Sequence, residues 1–213
     1  MKFYALDRTI KALIFDMDKT LYTSAEYVGS QAEKLNAIVA EQRGLTPAEI
    51  EKEIEEARKN WADSHGGSRP SFSNIILSWG FTMEENVRWR EEACVPEDYL
   101  KKDPKLRETL LALRSLYKLG VITNNPVSIA KRTFACLGIE NCFDALAGLD
   151  TCMIAKPHEE PFKKISGALG VSPEYCVSIG DRYDIDLAVP LKMGMGGILV
   201  NGVEDVYSLK GAL

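Results

Sequence analysis

Two carboxylates set two residues apart close the apolar run Lys11-Ala-Leu-Ile-Phe-Asp16-Met-Asp18-Lys-Thr20-Leu21. On an extended backbone residues i and i+2 share a face. Asp16 and Asp18 are therefore expected to converge at the carboxyl end of a buried strand, where open α/β sheets bind ligands. Carboxylates that close repel each other: either they share a proton or a cation lies between them. A hard divalent ion with oxygen ligands, Mg²⁺ above all, suits such a pair. An Asp after a strand also serves as a plain turn cap, and three further polar groups weigh against that simpler account.

Thr123 and Asn124 follow one apolar run and precede a helical pattern, which puts a hydroxyl and free backbone N–H groups at a helix start, a ready anion site. An ordinary N-cap explains them as well. Lys156, followed by Pro157, stands just before another helix; surface charge is the commonest role of a lysine, but one beside converging carboxylates would neutralise phosphate charge in a transition state. Ile179-Gly180-Asp181-Arg-Tyr-Asp184-Ile-Asp186 repeats the pattern of an apolar strand running into an acid. Gly180 permits the sharp turn and Asp181 arrives at the strand end as a further oxygen ligand.

The elements that must position these groups fall into two rhythms. From Leu21 to about Pro96 the pattern is helical: Ala25 to Arg43 closed by Gly44, then Thr46-Pro47-Ala-Glu49 opening a helix to about Trp61. His65-Gly-Gly-Ser-Arg-Pro70 reads as a loop, Ser71 to Trp79 as a short helix, and Thr82 with Glu85 as the start of another. From about Lys101 helix and strand alternate. A helix follows Asp103-Pro104; strands are expected at Leu119 to Ile122, Leu146 to Leu149, Cys176 to Ile179 and Ile198 to Val200. Between them the pattern predicts helices after Pro126, over Pro161 to Leu169 and around Ile185 to Met193. That spacing implies βαβ units and a parallel sheet, which the strand before Asp16 must join. The helical region is thus an insertion.

Composition restricts the function classes. The 213 residues, 46% apolar and 27% charged, suit one sizeable globule with an insert. No apolar stretch approaches a membrane span and the N-terminus has no long apolar h-region, so a cytoplasmic protein with no membrane partner is expected. Five cysteines form no C-x-x-C pair and two histidines offer little to a zinc site or a serine triad. A net charge of −5 without a basic stripe argues against nucleic acid.

In order, Asp16-x-Asp18-x-Thr20-Leu21, Thr123-Asn124, Lys156-Pro157 and Gly180-Asp181-x-x-x-x-Asp186 resemble the four motifs of the haloacid dehalogenase-like hydrolase superfamily. The insert directly after the first motif resembles the helical cap of one large subclass. Leu21-Tyr22 and the stretch from Asp98 to Arg107 are similar more narrowly to pyrimidine 5′-nucleotidase-like and phosphoglycolate phosphatase-like members. The resemblance implies a Rossmann-like, three-layer α/β/α core over residues 1–21 and 97–213, with an all-helical cap over 22–96. It implies a Mg²⁺-dependent phosphatase acting on a small phosphorylated metabolite. Asp16 would be the nucleophile that becomes an aspartyl-phosphate, Asp18 the acid and base, and Lys156 the stabiliser of charge. Thr123 and Asn124 would bind substrate phosphoryl oxygens. The Asp16 carboxylate, the Asp18 backbone carbonyl and the Asp181 carboxylate would hold the metal, with Asp186 behind them.

The chain departs from that pattern at Lys19, where many members carry Gly or Asn, and at Pro190, inside the helix after the fourth motif. Either solvent or substrate could receive Lys19. In the insert, Trp61, Trp79 and Trp89 are expected in the cap's own core and Arg69 in water, with Arg69 above the site as the alternative. A dehalogenase needs no acid two residues after its nucleophile, so Asp18 favours phosphoryl transfer. A phosphomutase, or a module that binds phosphate ligands without turnover, remains an alternative.

Overall fold

Short apolar runs bounded by turn residues make the sheet that carries these groups. The computed structural model describes residues 1–64 and 67–213, so His65 and Gly66 of the glycine-rich loop lie outside the described residues. Strands β1 (Lys2–Tyr4), β2 (Ala12–Phe15), β3 (Lys118–Ile122), β4 (Ala145–Ala147), β5 (Cys176–Gly180) and β6 (Gly196–Leu199) pair in the order β1-β6-β5-β2-β3-β4. All neighbours are parallel except β1, which runs antiparallel to β6. Every residue of β2 is buried, as expected of a strand covered on both faces.

Alternate side chains feed two cores. Leu13, Phe15, Val121 and Ile179 face one layer, where they meet Leu106 and Leu110 of α5 (Pro104–Arg114) and Phe134 of α6 (Val127–Leu137). Ala12, Ile14 and Ile122 face the other, against Phe162, Ile165 and Leu169 of α8 (Glu159–Leu169). The fold is a Rossmann-like α/β/α sandwich.

Between β2 and α5 the described residues form four inserted α-helices: α1 (Ala25–Arg43), α2 (Pro47–Ser64), α3 (Phe72–Ser78) and α4 (Met83–Ala93). Their ends obey the capping signals in the sequence. Gly44 closes α1 at φ 65°, and Thr82 with Glu85 forms a capping box at the start of α4. The insert has a core of its own, in which Leu35, Val39, Ile50, Ile54, Ile76 and Trp89 pack together. Trp79 packs at its margin with Arg43 over its ring.

Some elements differ from the sequence expectation. The strand expected at Leu146 to Leu149 is Ala145–Ala147, and Leu149 instead opens a short helix, α7 (Leu149–Cys152). The last strand sits earlier, at Gly196–Leu199. The helix around Ile185 starts as a π turn, Tyr183–Leu187, before α9 (Ala188–Lys192), and Pro190 falls in the first turn of α9, where a missing N–H costs little. β1 and the terminal helix α10 (Val203–Tyr207) gave no periodic signal, being three and five residues long. No helix among the described residues is long and apolar enough to cross a membrane.

Candidate active site

Topology brings the four motifs to one edge. The central strand β2 lies between β3 and β5, with Phe15 in register with Val121 on one side and Ile179 on the other. The residues that follow each strand, Asp16, Thr123 and Asp181, therefore emerge side by side at the carboxyl edge. Strand order reverses between β2 and β5, so the crevice there is the switch point at which doubly wound sheets take ligands. A pocket of about 190 Å³ opens at this place, lined by Asp16, Asp18, Lys19, Asn124, Lys156 and Asp181 among others.

Lys156 is the electrostatic centre. Its side chain is 3% exposed, and its Nζ donates to Asp16 Oδ1 at 2.6 Å and to Asp186 Oδ1 at 2.7 Å. Burial works against its charge, but Asp16 and Asp186 outweigh burial and hold the ammonium well above its ordinary pKa. Burial pushes the Asp16 carboxyl up; Lys156 opposes this, while Asp186, Asp18 and Asp181 add to the rise. Burial and then Asp186 also push Asp181 up, to about 6. Burial and crowding act together on the acids, since a single ammonium cannot neutralise several of them in a closed space. Either a carboxyl there keeps a proton or a cation joins them.

The carboxylates that crowd together are Asp16, Asp181 and Asp186, with one oxygen of each within 4.8 Å of the others. Asp18 is not among them. β2 ends at Phe15, so the i, i+2 alignment of an extended strand does not carry through to Asp18. Its carboxylate instead accepts from Tyr22 Oη at 2.5 Å, Gln31 Nε2 at 3.3 Å and Asn125 Nδ2 at 3.0 and 3.2 Å, with Thr123 Oγ1 at 3.5 Å. The oxygen-only, acid-rich cluster is the donor set that a hard divalent cation prefers, so the residues present fit a magnesium ion.

Thr123 is buried beside Asp18, and its Oγ1 accepts from the backbone N–H of Asn125 at 3.1 Å. Asn124 lines the pocket, but its side-chain amide pairs with the backbone of Lys156 in both directions: Nδ2 donates to the carbonyl at 3.2 Å, and Oδ1 accepts from the N–H at 2.7 Å. That amide braces the segment that delivers the ammonium. Asp186 is aimed inward by the π turn, and its Oδ2 accepts from the N–H of Arg182 at 3.0 Å. Arg69 is largely exposed and pairs with Glu55, while Arg182 takes its backbone carbonyl and Asp184 its N–H.

Asn125, Tyr22 and Gln31 are the functional neighbours that sequence reasoning missed. Asn125 stands in the same Thr-Asn-Asn-Pro stretch and could have been found there; Tyr22 and Gln31 reach Asp18 only through the fold. Among the described glycines Gly180 makes the tightest approach, since a Cβ there would lie 2.4 Å from Cβ and 2.5 Å from Oδ2 of Asp186. Gly180→Ala is expected to lower stability by about 1–3 kcal/mol through overpacking, read as a fall in Tm on thermal denaturation.

The sequence model of the haloacid dehalogenase-like hydrolases matches residues 10–194. The chain is similar to a glyceraldehyde 3-phosphate phosphatase of Methanopyrus kandleri, 28% identical with 87% of this chain and 82% of that protein covered. It is similar to a phosphoglycolate phosphatase of Aquifex aeolicus at the same identity and coverage. In three dimensions it resembles a phosphatase from Thermococcus onnurineus, at 21% identity and a TM-score of 0.61 over 95% of this chain and 97% of that one.

Proposed function

Because this chain belongs to the haloacid dehalogenase-like hydrolase family, we propose that it is a Mg²⁺-dependent phosphatase that hydrolyses a small phosphomonoester through an aspartyl-phosphate. The observation that carries the reading is the buried Lys156 bound to both Asp16 and Asp186 at the switch point of the sheet. The core spans residues 1–21 and 97–213 and the cap 22–96.

Asp16 attacks phosphorus in line; the acyl-phosphate bond forms as the bond from phosphorus to the ester oxygen breaks. The departing alkoxide takes its proton from the Asp18 carboxyl. Water then attacks the same phosphorus and gives a proton back to Asp18, and rupture of the acyl-phosphate bond restores Asp16 and frees inorganic phosphate. Tyr22, Gln31 and Asn125 fix the Asp18 carboxylate for this exchange. Lys156 offsets charge on the phosphoryl group, and Asp186 holds it in place. Thr123 and nearby backbone N–H groups receive phosphoryl oxygens, while Asn124 acts chiefly by bracing Lys156. Bound by the Asp16 and Asp181 carboxylates and the Asp18 carbonyl, with Asp186 behind, magnesium would offset the charge that builds on the transferring group.

The size of the pocket supports a small metabolite, of the order of the substrates named for the relatives. The test is phosphate release by purified protein from nucleotides, sugar phosphates, glyceraldehyde 3-phosphate and phosphoglycolate. Release is expected with Mg²⁺, to fall at least ~100-fold in EDTA, and to return on adding Mg²⁺. Full turnover in EDTA would remove the metal from the reading. Phosphoryl transfer to a sugar without free phosphate would make the protein a mutase, and tight capture without turnover a binding module.

A further inference from the structure

Among the described residues three cations line the pocket, and two are committed. Lys156 is bound to Asp16 and Asp186. The Arg182 guanidinium donates to the Arg69 carbonyl at 2.9 Å and to Asp184 at 3.1 Å. Lys19 is exposed and lines both this pocket and the hollow beside it, formed with Thr23, Ser24 and Asn201. Among the described residues its ammonium has no hydrogen bond or ion pair; it acts only at longer range, drawing the Asp181 carboxyl down against burial and Asp186.

The backbone at Lys19 makes this placement costly to the fold. Its φ is 59°, in the left-handed region that residues with a Cβ seldom occupy and glycine occupies freely. A lysine there gives folding nothing that glycine would not give more easily, so the use of the side chain lies outside folding. The surroundings say what it could receive. Lys156 and a cation on the Asp16, Asp181 and Asp186 cluster would be engaged by the phosphoryl group, so a negative charge elsewhere on a substrate has Lys19 as the uncommitted cation of the described lining.

We propose that Lys19 is a specificity-determining residue, whose ammonium receives an anionic group on the leaving part of the phosphomonoester, a carboxylate or a second phosphate. The enzyme then prefers small acidic phosphate esters to neutral ones of the same size. The inference rests on the phosphatase reading.

The test compares kcat/KM for phosphoglycolate with that for glyceraldehyde 3-phosphate, in wild type and in Lys19→Gly, Lys19→Gln and Lys19→Arg. Lys19→Gly suits the backbone, so its Tm should hold or rise. The ratio of acid to neutral substrate is expected to fall about tenfold in Lys19→Gly and Lys19→Gln, mainly through KM for the acid, and to recover in Lys19→Arg. A ratio that stays constant, or equal losses on both substrates, overturns the proposal. If wild type releases phosphate from no ester of the panel, the phosphatase reading fails on its own. Dissociation constants of the two esters on Asp16→Asn protein, with and without Lys19→Gly, then decide the role of Lys19: a preference for the acid that survives the loss of Lys19, or no preference at all, overturns it.

Discussion

Asp16→Asn is expected to abolish phosphate release, lowering kcat on the order of 10⁴-fold or more, because the amide cannot form the acyl-phosphate and nothing nearby replaces it. The change is nearly isosteric, and the amide oxygen can still accept from Lys156, which keeps Asp186 as its second partner. Folding should not suffer. Asp16 is one of several acids around a single ammonium, and burial already disfavours its charge, so Tm in metal-free buffer is expected to hold or rise. The paired readouts are phosphate release and thermal denaturation, with intact-mass analysis of quenched wild type to detect one phosphoryl group on Asp16. Turnover close to wild type in the variant would remove Asp16 as nucleophile.

That experiment probes a residue that could be read from the chain, whereas the contacts of Asp18 could not. Asp16 and Asp181 each follow a local signal, an apolar run ending in an acid, and parallel pairing then gathers them without further information, whereas Lys156 and Asp186 took their roles from the motif resemblance. Helix ends were legible for the same reason, as at Gly44, Thr46, Thr82 and Asp103, where the cap is a property of one or two side chains. The orientation of Asp18 was not legible. The i, i+2 argument holds only while the strand continues, and β2 stops at Phe15. Where the Asp18 carboxylate points is decided by Tyr22, Gln31 and Asn125, and the last of these is over a hundred positions away.

The same distance hides a link between cap and core. Asn125, which holds Asp18 through Nδ2, accepts through Oδ1 from Arg90 of α4 at 2.8 Å, and Arg90 donates from Nε to Asn86 at 3.1 Å. Arg90 is buried, and its polar partners are amides; it forms no ion pair among the described residues. A guanidinium in that setting is costly to bury, and its Nη1 contact fixes the orientation of the amide that clasps Asp18. With Tyr22 just ahead of α1 and Gln31 on it, Asp18 is held partly by the insert. A sequence pattern registers Arg90 only as one more charge on a helix.

Lys156→Met is expected to cost both stability and chemistry, and the two can be separated. Removing the ammonium leaves Asp16 and Asp186 buried and unpaired, at 10% and 2% side-chain exposure. Breaking a buried pair from one side costs about 3–5 kcal/mol, which for a chain of this size lowers Tm by roughly 10 °C. Turnover is expected to drop by about 10²–10³-fold in whatever protein remains folded, since the positive charge facing the phosphoryl group is gone. Adding Asp186→Asn to Lys156→Met withdraws one of the stranded carboxylates, so Tm should recover in part. Activity should not, because the second change restores no cation at the pocket. Phosphate release and thermal denaturation of the two single variants and the double variant form a cycle that isolates the coupling. A Lys156→Met protein with unchanged Tm would mean the buried contacts to Asp16 and Asp186 hold no weight in the fold. A double variant that regained turnover with its Tm would show that the loss came from misfolding and not from the missing ammonium.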